Sequence, residues 1–183
     1  LGCYRDSEKR HNLATLLGEL ALVEGVDRIR LSSIEVNHLT DDLIAAIQEI
    51  PKVAPHLHVP LQSGDDRVLQ DMARRYNSAT FVERLNRAEG INITTDIMVG
   101  FPTEDDAAFE RTLMTVEAIR ATKLHVFPYS PRPGTSTENL DAVPPLVKRE
   151  RSRRLRQMSD DLAQEHWKTK LGSDDWVLVD RPG

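Results

Sequence analysis

The chain has 183 residues, of which 39% are hydrophobic and 29% are charged, and its formal net charge is −5. This composition supplies enough apolar material for one sizeable core, and no apolar run approaches the roughly 18 residues of a membrane span, so we expect a cytoplasmic protein without membrane contacts. The single cysteine, Cys3, excludes an internal disulfide and a metal site built only from cysteines of this chain.

Four short β-rich runs follow one another about 30 residues apart, a spacing typical of a parallel sheet whose strands alternate with helices. The runs are residues 28–32, 57–61, 92–99 and 123–129. Helical patterns precede and separate them: one stops at Gly25, one opens at Thr40, and one opens at Thr103, where Asp106 completes a predicted capping box. A helix comes first although it needs strands to pack on, so we expect the first strands of the sheet to precede Leu1.

The pattern changes after residue 143. A long helix is predicted from Pro145 to about Leu171, and an apolar run from Trp176 to Val179 predicts one more strand. The predicted domains are therefore residues 1–143, a truncated partial barrel of about four βα units; residues 144–172, a long basic helix that closes the barrel; and residues 173–183, the start of a truncated further domain.

The active face of a parallel barrel is built from the carboxyl ends of its strands and from the loops that follow them. Glycines in such loops let a ligand approach the backbone closely, and amides and hydroxyls supply hydrogen bonds. Each loop taken alone is equally typical of a turn followed by a helix cap. The candidate residues are Glu35, then Gln62, Ser63 and Gly64, then Gly100, Phe101 and Pro102, and finally Phe127.

His56 and His58 are two residues apart in a predicted strand, so their side chains share one face, a spacing that can bind a metal ion. A metal-dependent barrel hydrolase would need further ligands from other strands, for which His125 and Asp96 are the candidates. Partly buried, hydrogen-bonded histidines would show the same spacing. Metal-dependent hydrolysis remains an alternative function.

Six basic residues lie within residues 148–156, at the start of the long helix. Such a run can neutralise the phosphates of a nucleic acid, and we expect Lys148, Arg149 and Arg153 to contact RNA. A solvated helix exterior, whose long side chains cover apolar neighbours, has the same composition. A non-catalytic RNA-binding module is thus the third possible function.

Four stretches, in this order, resemble the radical-SAM methylthiotransferase family. They are residues 56–64 (HLHVPLQSG), 72–76 (MARRY), 95–102 (TDIMVGFP) and 127–135 (FPYSPRPGT). Within the family, residues 30–35 (RLSSIE) and 124–130 (LHVFPYS) are most similar to the branch that acts on threonylcarbamoyladenosine beside the tRNA anticodon. The resemblance predicts a partial parallel (β/α) barrel of the radical-SAM type, followed by a long helix and the first strand of an RNA-binding TRAM domain.

The resemblance also implies the cofactors of the complete protein, namely S-adenosylmethionine (SAM) and two [4Fe-4S] clusters, one of them held by CxxxCxxC. In this family a SAM-derived radical removes hydrogen from C2 of the adenosine, and sulfur is inserted there and methylated. By resemblance, the turn around Gly100, with Asp96, Phe101 and Pro102, contacts the adenosyl group, and the backbone at Phe127 borders the adenine. The loop of Gln62, Ser63 and Gly64 lies near the ribose or amino-acid end of SAM, Glu35 and Arg74 face the cavity, and Arg132 approaches the substrate.

The chain departs from the family pattern because it contains no CxxxCxxC, and Cys3 does not match a cluster ligand. Thr103 and Asp65 also stand where a glycine and a serine are common. We therefore expect this chain alone to bind no cluster, to bind SAM weakly at most, to be catalytically inactive, and to form a non-native homodimer through the surface that truncation exposes. We expect the cysteine motif shortly upstream of Leu1.

Overall fold

The fold is described from a computed structural model, which describes residues 1–8, 10–135 and 137–174. The strand predicted at residues 176–179 lies outside these residues. The elements run in the order α1 (Leu13–Leu22), a 3₁₀ turn (Val36–His38), α2 (Asp41–Glu49), β1 (His56–His58), α3 (Asp66–Asp71), α4 (Ser78–Asn86), β2 (Asn92–Val99), α5 (Asp106–Ile119), β3 (Lys123–Pro128) and α6 (Pro145–Lys170).

The three strands form one parallel sheet in the order β1-β2-β3, as the alternation of strands and helices predicts. Strand β2 has the predicted bounds and lies between the other two. Strand β1 ends earlier than predicted because Pro60 has no backbone N–H and Gln62 has a positive φ of 70°. The chain nevertheless stays beside β2, since Val59 N donates to Thr94 O at 2.9 Å and Gln62 N donates to Asp96 O at 2.8 Å.

The prediction of a strand at residues 28–32 is wrong. This segment makes one isolated parallel bridge, between Ile29 and Val53, and the next bond to the sheet is from Ile34 N to His58 O at 2.9 Å. The two contacts are too far apart to form a continuous ladder. Residues 29–34 therefore run beside β1 as an irregular extended segment at the edge of the sheet.

The core lies between the sheet and its helices. Side chains on β2 alternate strictly: Thr95, Ile97 and Val99 are buried toward the helices, while Thr94, Asp96 and Met98 are partly exposed on the opposite, inner face. The largest fully buried side chains include Leu57 of β1, Ile97 of β2, Phe81 of α4, Phe109 of α5 and Leu155 of α6. One face of the sheet thus holds the fold together, and the other remains free for polar side chains.

The predicted capping box at Thr103 is also wrong. Asp105 is the N-cap of α5, and its carboxylate accepts a hydrogen bond from Ala108 N at 2.7 Å. The helix starts late because Glu104 folds back to Gly100, whose N–H donates to Glu104 Oε1 at 2.8 Å. The turn after β2 is therefore closed by a buried carboxylate.

Helix α6 has almost the predicted bounds and packs on β3. Leu124 N donates to Ser159 Oγ at 3.0 Å, and Arg156 Nη2 donates to Val126 O at 3.4 Å. The helix thus meets backbone groups of β3 that face away from β2. Within the described residues, no helix combines the length and the apolar character that crossing a membrane requires.

Candidate functional site

A cavity of about 410 Å³ lies at the carboxyl ends of the strands, where ligands of parallel α/β folds bind. We call it the strand-end cavity. It brings together five of the residues that the sequence predicts at the site: Gln62, Arg74, Phe101, Phe127 and Arg132. Aromatic and aliphatic walls with a few polar groups are typical of a small-molecule site.

The backbone is strained at two positions in the wall of the strand-end cavity. Gln62 and Ala73 have φ values of 70° and 56°, in the left-handed region that residues with a Cβ seldom adopt. Gly100, next to the lining residue Phe101, has a φ of 75°. Such strain is concentrated at functional sites, where the surrounding structure holds it in place.

A polar row lies below the cavity on the inner face of the sheet. Asp96 lies two residues before the lining residue Met98 on the same face of β2, and its Oδ2 is 3.3 Å from His58 Nε2. His58 Nδ1 is 2.9 Å from Thr94 Oγ1, and its ring meets the ring of His125 edge to face at 5.5 Å. Asp96 thus orients His58 and lies near the cavity without lining it.

His56 and His58 share one hydrogen-bond partner, because His56 Nε2 also lies 3.1 Å from Thr94 Oγ1. Arg30 Nη2 lies 3.2 Å from the same His56 nitrogen, so that nitrogen is the acceptor of a neutral ring. Among the residues that the structure describes, no group of three or more His, Cys, Asp or Glu side chains is placed to hold a metal ion. The geometry fits the hydrogen-bonded histidines better than the metal-dependent hydrolase.

The pKa of His56 gives a pH prediction. Burial, together with the charges of Arg30 and His58, lowers this pKa from 6.5 to about 4. The unfolded chain therefore takes up a proton at His56 below about pH 6.5, whereas the folded protein does so only near pH 4. We expect the stability to fall by about 1–3 kcal/mol between these pH values through His56 alone.

Denaturant unfolding of the protein and of a His56→Gln variant, measured across that pH range, tests the prediction. Glutamine keeps a polar partner for Thr94 and cannot titrate. The stability difference between the two proteins should change with pH, and a constant difference would contradict the prediction.

Ser63 and Gly64 face helix α5. Ser63 is fully buried, its Oγ lies 3.3 Å from Thr112 Oγ1, and Gly64 N donates to Thr112 Oγ1 at 3.0 Å. A Cβ on Gly64 would lie 2.6 Å from Thr112 Cα, so this glycine is needed for close packing of the loop on α5. Gln62, immediately before them, is the residue of this loop that lines the strand-end cavity.

Glu35 and Arg74 lie together, with Glu35 Oε1 3.7 Å from Arg74 Nη1. Arg74 lines the strand-end cavity, and Glu35 is exposed beside it. Pro102 is partly buried in the turn after β2 and does not belong to the lining. The predicted site residues therefore form a lining group and a supporting group.

The structure buries one of the three basic residues that the sequence predicts to contact RNA. Lys148 is buried, and its ammonium donates to Tyr129 O at 3.0 Å and pairs with Asp141, so its charge is not exposed to a phosphate here. Other cations of the run meet acidic residues of α5 and the turn before it. Arg151 pairs with Glu104 and Asp106, and Arg154 pairs with Glu110.

Arg149 and Arg153 remain on the surface. Arg153 pairs with exposed Glu150 at 2.7 Å, and Arg149 has no ion pair within residues 1–8, 10–135 and 137–174. These two residues are four apart and so lie on the same side of α6. An exposed ion pair contributes little to stability, so a phosphate can compete with Glu150 for Arg153.

Sequence reasoning missed Met98, Ala73 and Tyr129, which also line the strand-end cavity. The alternation of β2 could have identified Met98, because it lies two residues after Asp96. It also missed Glu104, which has no sequence signal of its own since its role depends on Arg151, 47 residues later.

The family's two cofactors fit this chain differently. Cys3 is exposed, its Sγ lies 3.1 Å from His38 Nε2, and one thiolate cannot replace the three of a radical-SAM cluster motif. The residues of this chain therefore do not form a cluster site. The strand-end cavity does suit a nucleoside, since it offers aromatic faces, the Met98 thioether and the Gln62 amide.

Curated relatives match most of this chain. A threonylcarbamoyladenosine tRNA methylthiotransferase of Bacillus subtilis is 43% identical over 171 residues, which is 90% of this chain and 38% of that protein. Its namesake in Thermotoga maritima is 39% identical over 92% of this chain and 40% of its own length. A tRNA-2-methylthio-N(6)-dimethylallyladenosine synthase of Kineococcus radiotolerans is 42% identical over 86% of this chain and 32% of its own length. The chain thus spans about two fifths or less of the length of these relatives.

A solved structure with a similar fold and a family model both point to the same superfamily. Coproporphyrinogen III oxidase from Escherichia coli, described as a radical SAM enzyme, superimposes with a TM-score of 0.60 over 74% of this chain and 32% of its own, at 17% identity. The family model of the radical SAM superfamily matches residues 4–116, more than half of the chain. The chain therefore belongs to the radical SAM superfamily.

Proposed function

We propose that this chain is the part of a radical SAM tRNA methylthiotransferase that forms a wall of the SAM site. The complete protein would add a methylthio group at C2 of a modified adenosine, threonylcarbamoyladenosine, next to the anticodon. The observation that supports this most is the strand-end cavity, which gathers Gln62 and Phe101 from the loops after β1 and β2, and Phe127 from the end of β3, in a chain 43% identical to such an enzyme. The SAM and [4Fe-4S] clusters of the complete protein follow from the same family.

Four lining residues have a proposed task in binding SAM or the substrate. Phe127 offers a partly exposed ring for the adenine, and Gln62 offers an amide for the ribose or the amino-acid end. Asp96, below the cavity, and Gly100, in the turn after β2, are proposed to support the lining residues, together with Ser63, Gly64 and Pro102. Arg74, held by Glu35, and Arg132 place positive charge at the mouth, where the substrate would enter.

Arg149 and Arg153 are proposed to contact the tRNA backbone from the exposed side of α6. The cluster ligands are proposed to come from a CxxxCxxC motif elsewhere in the longer protein. SAM and the cluster would supply the radical chemistry, whereas the residues of this chain bind and orient SAM and the adenosine. The chain by itself is accordingly proposed to be inactive.

The proposal is tested on the product of the complete gene, purified without oxygen and reconstituted with iron and sulfide. With tRNA that lacks the methylthio group, nucleoside mass spectrometry should show 2-methylthio-threonylcarbamoyladenosine. The dimethylallyl product instead would overturn the proposed branch, while neither product, together with no SAM binding, would overturn the enzyme class. Reading the gene upstream of Leu1 checks for the cysteine motif directly.

A pair of variants ties the activity to the cavity. Phe127→Ala removes a ring from the cavity wall, and we expect the KM for SAM to rise about tenfold. Met114→Ala removes a 68% exposed side chain from α5 and serves as the matched control. Equal kinetics for both variants would contradict the assignment of the cavity. Stoichiometric zinc that is lost in His58→Ala would favour the hydrolase instead.

A further inference from the structure

Lys148 is a buried cation that the proposed function leaves without a task. Its side chain is 9% exposed, it lies in the first turn of α6, and its ammonium donates to Tyr129 O at 3.0 Å and pairs with Asp141. The ammonium also lies 5.3 Å from the centre of the Tyr129 ring. A charge is seldom buried this deeply unless it is paired and hydrogen-bonded, so these contacts tie α6 to the loop after β3.

The same side chain touches a second segment of the cavity wall. A Cβ on Gly100 would lie 2.4 Å from Lys148 Cγ and 2.9 Å from its Cδ and Cε. The aliphatic stem of Lys148 thus fills the space that the missing side chain of Gly100 leaves open. Its stem therefore fixes the turn after β2, and its ammonium fixes the loop after β3.

These two segments meet in one wall of the strand-end cavity. Phe101 follows Gly100, and its ring meets the Tyr129 ring edge to face, with centroids 5.4 Å apart at 78°. Arg151, three residues after Lys148, reinforces the contact because it binds Glu104 at 2.6 Å, and Glu104 accepts the N–H of Gly100. Helix α6 therefore holds both segments from outside the cavity.

We propose that Lys148 is a positioning residue that fixes how the Phe101 and Tyr129 segments pack together in the cavity wall, and thereby sets the affinity of the strand-end cavity for SAM. The inference rests on the proposed function for the identity of the ligand. Lys148 does not reach the lining itself. It acts through the backbone of Gly100 and Tyr129.

The test uses the complete, reconstituted protein without reductant. Lys148→Met keeps an unbranched stem beside Gly100 and removes the ammonium, so we expect the Kd for SAM, from equilibrium dialysis, to rise about tenfold. In turnover the KM for SAM should rise by the same factor while kcat stays within about twofold. Lys148→Gln retains a donor for Tyr129 O and should recover most of the affinity.

Two controls isolate the contact with Tyr129. Lys168→Met makes the same chemical change on an exposed part of the same helix, and Asp141→Asn removes the ion pair while leaving the bond to Tyr129 O. Both should bind SAM within about twofold of wild type. Hydrogen exchange without ligand should show faster exchange of the Gly100 and Tyr129 amides in Lys148→Met and unchanged exchange in both controls.

The outcomes separate this inference from the proposed function. Affinity within twofold of wild type in Lys148→Met, even with a lowered Tm, would show a merely structural role and overturn the inference. If wild type itself binds no SAM, the proposed function fails. Hydrogen exchange of the Gly100 and Tyr129 amides that is unchanged in Lys148→Met would overturn the inference independently of SAM binding. If Lys148→Met does not fold, Lys148→Gln is compared with Lys148→Ala. The inference is overturned if the glutamine variant does not bind SAM more tightly than the alanine variant.

Discussion

Replacing Arg151 with methionine is expected to lower the free energy of unfolding by about 3–5 kcal/mol, because it removes one partner of a buried ion pair. The Glu104 side chain is fully buried, the Arg151 side chain is 6% exposed, and their atoms lie 2.6 Å apart. Without the guanidinium, Glu104 must either stay charged in an apolar site or take up a proton. Denaturant unfolding at neutral pH measures the loss.

Two further variants show whether the buried charge is the cause. Glu104→Gln combined with Arg151→Met removes both charges, keeps an acceptor for Gly100 N–H, and should recover most of the stability. Arg154→Met, one turn along α6, breaks an exposed pair with Glu110 and should have a much smaller effect. A double variant as unstable as the single one would contradict this explanation.

The pH dependence supplies an independent check. Burial raises the pKa of Glu104, while the hydrogen bond from Gly100 and the charge of Arg151 oppose that rise. Removing Arg151 raises the pKa further, so the folded variant takes up a proton more readily than wild type as the pH falls. The destabilisation should therefore shrink as the pH falls from neutral toward the ordinary pKa of a glutamate.

Gly64→Ala is expected to destabilise the protein by about 1–3 kcal/mol, since the new methyl group meets backbone that cannot move alone. The added Cβ would lie 2.6 Å from Thr112 Cα and 2.7 Å from Thr115 Cβ, both on helix α5. The loop after β1 would have to separate from α5. Thermal or denaturant unfolding reports the change in stability.

Gly18→Ala is the matched control. Gly18 lies inside α1, and a Cβ there would meet nothing within 4 Å. Alanine favours a helix over glycine by about 0.5–1 kcal/mol, so this substitution should raise the stability. The same change is thus expected to have opposite signs at the two positions, and two effects of one sign would refute the packing explanation for Gly64.

The sequence predicts the fold best where local pattern and tertiary setting agree. Strand β2 has both neighbours, and its predicted bounds match the structure. The segment at residues 28–32 has strand-like composition, but its bridge joins Ile29 to Val53, before β1 begins, and no ladder follows, which composition does not reveal. Asp105, and not Thr103, caps α5 because Glu104 is drawn back to Gly100 by a contact within the turn.

The site is predictable in position more than in detail. The rule that ligands bind at the carboxyl ends of parallel strands correctly brings Gln62, Phe101 and Phe127 to one cavity. This rule does not tell which way each side chain points. It places Ser63 beside the ligand, whereas the structure buries the Ser63 side chain against α5. The sequence also does not reveal that Arg151 of the basic run is buried in an ion pair, because its acidic partner lies 47 residues earlier in the chain.

The contacts of α6 with β3 limit how the sheet can be extended. A parallel strand beside β3 would need the Leu124 N–H and the Val126 carbonyl, and both already bond to side chains of α6, while Pro128 has no N–H to offer. Further strands can therefore add only on the side of β1, where residues 29–34 already lie. The sheet of this partial barrel can therefore be extended at the β1 edge only, and α6 covers the β3 edge.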